Sequence, residues 1–521
     1  MSNVQLPEDV WRYIASFIPH KHLVTLLSVN KTFYDIALDA RYREIRWDKL
    51  DKNMTRSLAR LQTPSIAARV RRLHVRAWFI EYLNQKETLT TLASYVAISM
   101  QWMARHLGLP SALTTTGKYC TADGILASMT EAVRLMTSVT EYSFEWRDLA
   151  PTTGTMCFLA TARTAFGVSL RKLSLHAQLS YFSSLLSTVD FDNPEELELF
   201  FDYDHNHIGT DNTHILRDTV APFINQFQRS LNGLKISSAS KADVSPLFHA
   251  LQTFPRLRKF AVLVAFDTAH MSDLGGTVHI LRGTLSSVEI TRALQGGTVA
   301  PGSYNTWARF SAALAADSAI LAQVQVLKLP ALHGAFDFTR ACLQRAADTL
   351  TSLYLSDYFM RQHEFAALVQ MFAHRPLDAR LRSLHIGLSY ITIEVFDHLS
   401  RHMPGLQKLY LVLLDGLVWQ AAFRTAILPD VKPFCQVLSS RLYHDWKLED
   451  LGIWEQRFVD TPISKSGEMK LMENLACRIP SVCMLKGVPL LLAQRKPQGL
   501  SAGVEINYEI RTEKFEAAVE C

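Results

Sequence analysis

One short string returns along most of this chain: apolar-x-x-apolar-x-apolar. It runs from Val70 to Val75, Leu170 to Leu175, Leu231 to Ile236, Leu257 to Val262 and Leu285 to Ile290. It returns from Leu350 to Leu355, Leu381 to Ile386 and Leu406 to Leu411. Glu195 to Leu199 keeps the last two apolar positions, Val324 to Leu329 and Leu448 to Ile453 are looser copies, and Val139 to Phe144 is a further one. The last two apolar residues alternate with one polar residue, the period of a strand with one buried face. Between strings the spacing turns helical, as in Cys342, Leu343, Ala346 and Ala347, or Phe365, Leu368, Val369 and Phe372. A strand and a helix recurring every roughly 24 to 42 residues cannot bury their apolar faces singly, but stacked units share a continuous core. A doubly wound sheet would need strands that are apolar on both faces. Here Lys172, Glu198, Lys235, Glu289 and Lys328 all stand on the strands. The expected fold class is therefore α/β, a stacked array with a curved parallel sheet inside and helices outside.

This alternation resembles leucine-rich repeats in a divergent form, because the spacing is irregular and the Asn or Cys of the tight repeat is mostly missing. Residues 77–138 break the period and read as a helical, elaborated first turn. Near the end, Val504, Ile506, Tyr508 and Ile510 alternate, which predicts a terminal strand capping the core.

A different pattern fills the first forty residues or so. Pro7 suits a first helical turn, Glu8 and Asp9 favour its positive end, and Val10, Ile14, Phe17 and Ile18 recur at helical spacing up to Pro19. A second helix carries Leu23, Leu26 and Leu27, and a third carries Phe33, Ile36, Ala37 and Ala40. The opening Leu6-Pro7-Glu8, this spacing, and Val29 with Phe33 four residues on together resemble the F-box. Asn30, Phe33 and His22 depart from that family's commoner Cys, Trp and acidic residue. With the repeats behind it, the chain is similar to F-box proteins of the fungal type. That resemblance implies docking on a Skp-type adaptor, and through it on a cullin, by Leu6, Pro7, Ile14, Ile18 and Leu23. The expected function is the substrate-recognition subunit of a Skp–cullin–F-box ubiquitin ligase, with catalysis on other subunits. The alternative is a leucine-rich-repeat scaffold without a ligase role.

Little else in the chain points to chemistry. The 54 basic and 49 acidic residues leave a charge of +5, and the densest basic run is Arg69-Val70-Arg71-Arg72, so nucleic acid is not expected. Seven scattered cysteines without a Cys-x-x-Cys pair argue against a disulfide framework or a structural zinc site. Gly275-Gly276 and Gly296-Gly297 lack the Gly-Lys-Ser or Gly-Lys-Thr of a phosphate loop, and no nucleophile elbow is present. His205, His207, Asp211 and His214 are dense enough to suggest a metal, but they follow a strand directly and read as a polar rim loop. No cofactor, no metal and no membrane span are expected, and a cytoplasmic or nuclear location follows from the resemblance. Met1 to Asp9 shows no basic stretch followed by an apolar core, which predicts no secretory signal.

The polar position of each strand is the natural binding face of such an array. It reads Ser174, Glu198, Lys235, Ala261, Glu289, Lys328, Tyr354, His385, Tyr410 and Gly452, with Trp454 two residues on. Tyr354, His385, Tyr410 and Trp454 are the expected target-binding residues, because solvent-facing aromatics make good interface anchors. Packing beneath a C-terminal cap is the open alternative. The expected divisions are an F-box at 1–45, a helical linker and first irregular repeat at 46–138, the repeats at 139–493 and a cap or tail at 494–521.

Overall fold

The computed structural model describes residues 6–18, 20–26, 28–76, 79–80, 122–147, 151–188, 191–202, 213–239, 242–264, 275–282, 284–292, 303–317, 319–330, 336–373, 381–413, 432–455, 463–486 and 488–489. The chain divides into two compact units, 1–323 and 324–521. Within the first unit, α1 (Glu8–Ser16), α2 (His20–Leu23) and α3 (Lys31–Tyr42) pack around Ala15, Leu23 and Phe33. Trp11, Ile18, Leu26 and Ile36 close that cluster, and the Trp11 and Phe33 rings meet edge to face at 5.4 Å. Asn30 caps α3, its Oδ1 accepting the Phe33 amide at 2.8 Å.

Only Arg43 separates α3 from the first strand, β1 (Glu44–Trp47). It is followed by β2 (Arg72–Arg76), β3 (Glu141–Arg147), β4 (Lys172–Gln178), β5 (Glu196–Asp202), β6 (Gly233–Ser238), β7 (Lys259–Val264) and β8 (Ser287–Arg292). Each pairs in parallel with the next, so Ile45, Leu73, Tyr142, Leu173, Leu197, Leu234, Phe260 and Val288 form one row. All of them are buried. The array thus begins well before Val70. Tyr42, Ile45 and Trp47 are a copy of the string whose first member ends α3, and all three are buried.

Helices fill the crossovers, among them Ala122–Arg134, Thr153–Phe166 and Ser303–Ala316. Among the described residues the strands bury one face. In β5, Leu197, Leu199 and Phe201 are buried, while Glu196, Glu198, Phe200 and Asp202 on the other face stay half-buried. One covered face is the arrangement expected of stacked repeats and not of a doubly wound sheet.

A backbone device recurs at the strand starts. The carbonyl of the residue before one strand accepts two successive amides from the next repeat. Arg43 O takes Arg71 N and Arg72 N, both at 2.9 Å, and Asn232 O takes Arg258 N and Lys259 N at 2.8 and 2.9 Å. Hydroxyls reinforce it one step earlier. Ser169 Oγ donates to Val139 O at 2.9 Å and Ser230 Oγ to Pro194 O at 3.1 Å. In the second unit Thr349 Oγ1 donates to Val324 O at 2.9 Å and Ser481 Oγ to Leu448 O at 2.7 Å. These bonds satisfy turn carbonyls in an array that mostly lacks the repeat asparagine.

The second unit repeats the plan. Its strands are β9 (Val326–Pro330), β10 (Ser352–Met360), β11 (Ser383–Leu388), β12 (Lys408–Leu413), β13 (Asp450–Glu455) and β14 (Met484–Leu485), all parallel. A short antiparallel β15 (Val488–Pro489) turns back on β14. The expected cap around Val504 to Ile510, and residues 77–78 and 81–121 of the expected linker, lie outside the described residues.

The one-faced sheet makes neighbouring residues very unequal. Ile236→Ala, fully buried in β6, is expected to cost about 2–5 kcal/mol. Lys235→Ala, exposed beside it, should stay within about 0.5 kcal/mol. Urea unfolding midpoints of the two variants check this, and similar losses would mean that both faces are packed.

Candidate functional site

The helix α1 is apolar on two stripes. Trp11, Ala15 and Ile18 turn into the helical core. On the adjoining face lie Val10, Tyr13, Ile14 and Phe17, and of these Tyr13 and Phe17 are 67% and 70% exposed. Their rings meet edge to face at 4.9 Å. Leu6, Ile14, Val29 and Tyr34 are exposed as well. Glu8, Asp9 and Arg12 lie on the polar remainder of the helix, with Arg12 paired to Glu8 at 2.7 Å, so the second stripe is apolar surface that the helical core leaves bare.

The expected adaptor contacts divide on this geometry. Leu6, Pro7 and Ile14 are exposed, and Ile18 is half-buried against the core. Leu23, at 5% exposure, joins Ala15 and Phe33 and holds the helices together. Tyr13 and Tyr34 are not among the expected contacts. The signal that could have found Tyr13 is the second stripe of α1.

On the open face of the second unit, parallel pairing puts Lys328, Tyr354, His385, Tyr410 and Gly452 in one row. Trp454 stands two residues beyond Gly452. The four expected target-binding residues come together. His385 contacts Tyr354 at 5.7 Å, Tyr410 at 5.8 Å and Trp454 at 6.1 Å between ring centroids, and Tyr410 and Trp454 are 5.5 Å apart. All four are half-buried. Gly452 makes the cluster fit, because a Cβ there would come within 2.5 Å of both the Tyr410 and Trp454 rings. Lys486, in the turn between β14 and β15 with a left-handed φ of 51°, lays its ammonium 5.0 Å from the Trp454 ring centroid.

Polar groups anchor this patch. The Tyr410 hydroxyl donates to the Asp450 carboxylate. Burial, aided by that bond, pushes the Tyr410 pKa well above the ordinary phenol. Burial, with Lys328 adding to it, holds the His385 pKa below the usual histidine range.

The first unit's open face is a charged lattice instead. Lys172 Nζ lies 2.8 Å from Glu198, Lys259 Nζ 2.8 Å from Glu196, and Arg76 Nε 2.7 Å from Glu145. His176 stands between Glu145 at 3.7 Å and Asp202 at 3.1 Å, with the Phe200 ring 4.0 Å away. His205, His207 and Asp211 lie outside the described residues, and His214 is exposed. Among the described residues no group of three or more His, Cys, Asp or Glu side chains could hold a metal, and no helix is long and apolar enough to cross a membrane.

Residues 4–44 match the family model described as F-box domain. No curated protein matches the chain. Among solved structures the chain is similar to one titled crystal structure of Rad7 and Elc1 complex in yeast, at 12% identity and a TM-score of 0.38, over 81% of this chain and 90% of that one. That likeness is too loose to transfer fold or function.

Two measurements probe the patch. Gly452→Ala should displace both rings and cost about 1–3 kcal/mol by overpacking, read as a lowered melting temperature and altered tryptophan fluorescence; an unchanged protein would mean that the rings are not seated there. For His385, a depressed folded pKa means that the unfolded chain binds the proton first. Its contribution is therefore full above the unfolded value of about 6.5 and is lost as pH falls toward the folded one. His385→Gln should lose less stability than the parent between about pH 7 and pH 5, and equal losses would contradict the burial.

Proposed function

We propose that this chain, whose residues 4–44 are an F-box domain, is the substrate receptor of a Skp–cullin–F-box ubiquitin ligase. The observation that carries the reading is the uncovered apolar stripe of that domain. Leu6, Tyr13, Ile14, Phe17, Val29 and Tyr34 keep large apolar surface in water although the helices already own a closed core. A Skp-type adaptor is the partner that covers it, with Pro7 and Ile18 at its margin, and the adaptor links the chain to a cullin. F-box proteins are typically receptors without catalysis of their own, and the ubiquitin-transfer chemistry belongs to other subunits.

The repeats hold the protein to be modified. Tyr354, His385, Tyr410 and Trp454 are the contact surface on the second unit. Aromatic rings bury much area with few rotors to freeze and dominate interface energies. Their half-buried packing pre-organises them, which lowers the ordering cost on binding. In a cell such a receptor works in the cytoplasm or nucleus.

The F-box contributes placement as well as affinity. Arg69, just before β2, reaches Asp35 at 2.7 Å and Asp39 at 2.6 Å on α3, and it also donates to the Asp35 carbonyl at 3.2 Å. With a single residue between α3 and β1, the adaptor-binding helices have no slack relative to the first strands.

Tyr13→Ala combined with Phe17→Ala should cut co-purification with a Skp-type adaptor on the order of tenfold or more, since a buried aromatic anchor is worth about 2 kcal/mol or more. The melting temperature should hold, because both rings are exposed. Undiminished adaptor recovery would sink the ligase reading and leave a repeat scaffold.

A further inference from the structure

The aromatic row of the second unit has a lysine at either end. β14 pairs Met484 with Asp450 and Leu485 with Leu451, and the Lys486 amide donates to Leu451 O at 3.0 Å, which brings Lys486 level with Gly452. Across the strands the row then reads Lys328, Tyr354, His385, Tyr410, Gly452 and Lys486. The Trp454 ring lies over Gly452. Five strand spacings of about 4.8 Å each put the two lysine positions roughly 24 Å apart. Asp450, the carboxylate within reach of the rings, is 2% exposed and already accepts the Tyr410 hydroxyl. Burial holds the His385 pKa below the usual histidine range, so its ring is neutral at about pH 7.

The bland account is that the rings satisfy one another. All four nonetheless stay half-buried, with a face left in water. Neighbouring rings are splayed, Tyr354 and His385 at 60° and His385 and Tyr410 at 58°, with centroids 5.7 and 5.8 Å apart. The backbone narrows what can lie on them. β10 to β13 pair along both edges, so no amide or carbonyl remains for an added strand. A helix, about 10–12 Å across, is too wide to enter the wedges between splayed rings. Polyproline II needs no internal or ladder hydrogen bonds, and proline brings no N–H to be stranded against an apolar floor.

We propose that the stripe between Lys328 and Lys486 binds a proline-rich segment of the target protein, extended as polyproline II, with a carboxylate at each end. Proline rings fill the wedges between the aromatic side chains, and aromatic-lined surfaces are the general partners of such segments. The segment is already stiff, so little ordering entropy is lost when it binds. Its rise of about 3.1 Å per residue makes eight residues span roughly 22 Å. Acids seven positions apart therefore reach the two ammonium groups, and the rings between carry no free charge to match. The proposal rests on the reading of Tyr354, His385, Tyr410 and Trp454 as the target-contacting surface, and it names what that surface takes.

The test titrates the full chain, by calorimetry, with an end-blocked octapeptide of six prolines between two glutamates. Three relatives are titrated beside it: one with glutamine ends, one with a glycine–serine middle between the same glutamates, and an alanine–leucine helix of matching length and end charge. The glutamate-ended proline peptide should bind, the glutamine-ended one about tenfold more weakly, and the glycine–serine one not measurably. Tyr354→Ala and Trp454→Ala should each weaken the proline peptide about tenfold or more. Lys328→Gln combined with Lys486→Gln should bring the glutamate-ended peptide down to the glutamine-ended one and leave the latter unchanged, a pattern that loss of folding cannot produce. No binding of the proline peptide overturns the proposal. So does equal binding of the glycine–serine peptide, or tighter binding of the helical one. A concentration-dependent dimer that Trp454→Ala abolishes also overturns it, because a second copy of the chain is then the occupant. The same preparation is checked for binding to a Skp-type adaptor, so a failed titration beside intact adaptor binding faults this proposal and not the ligase reading.

Discussion

Both faces of the strand array depend on how one strand is locked to the next. Two constraints act together at each junction. Row after row of buried apolar side chains, Leu173 on Leu197 on Leu234, sets the face, because a slip of one residue would send the whole row to solvent. The carbonyl before a strand, accepting two amides from the following repeat, sets the register along the strand. Neither needs a particular side chain outside the core, so the intervening positions are free to vary. That freedom explains how an irregular repeat keeps a regular sheet.

The same lock decides where function can sit. Once the core rows are fixed, the polar strand positions are forced side by side, about 4.8 Å apart from strand to strand. In the first unit those positions carry charges of alternating sign that neutralise one another. In the second they carry Tyr354, His385 and Tyr410, with Trp454 beside them. One kind of scaffold thus presents a self-satisfied polar face in one unit and a sticky aromatic one in the other. The turns at the strand starts follow the same periodicity, which is how Arg229 and Arg258 from consecutive repeats reach one cleft.

The F-box helices obey a different logic. Ala15, Leu23 and Phe33 make a core too small to consume the apolar residues available. Tyr13 and Phe17 are the surplus. An exposed apolar surplus of this kind is the usual mark of an interaction site, and the short path from α3 to β1 fixes the place of these helices relative to the first strands.

The strands and their buried faces were legible in the sequence, because period and burial are the same physical fact: each expected string became a strand. The looser copies, Val139 to Phe144 and Leu448 to Ile453, did so as well. β1 escapes the pattern because Tyr42, its first apolar member, also ends a helix, and β14 because only two residues pair. The aromatic row could be named from strand positions alone, since parallel pairing leaves those residues no other face. What only the tertiary structure decided is which apolar residues of α1 and α2 point inward and which turns converge. Leu23 and Phe17 are equally hydrophobic choices at helical spacing, and three-dimensional packing buried one and left the other in water. The arginine cleft likewise joins residues from separate repeats, with no local pattern to announce it, because the distance between turns is set by the sheet and not by the chain.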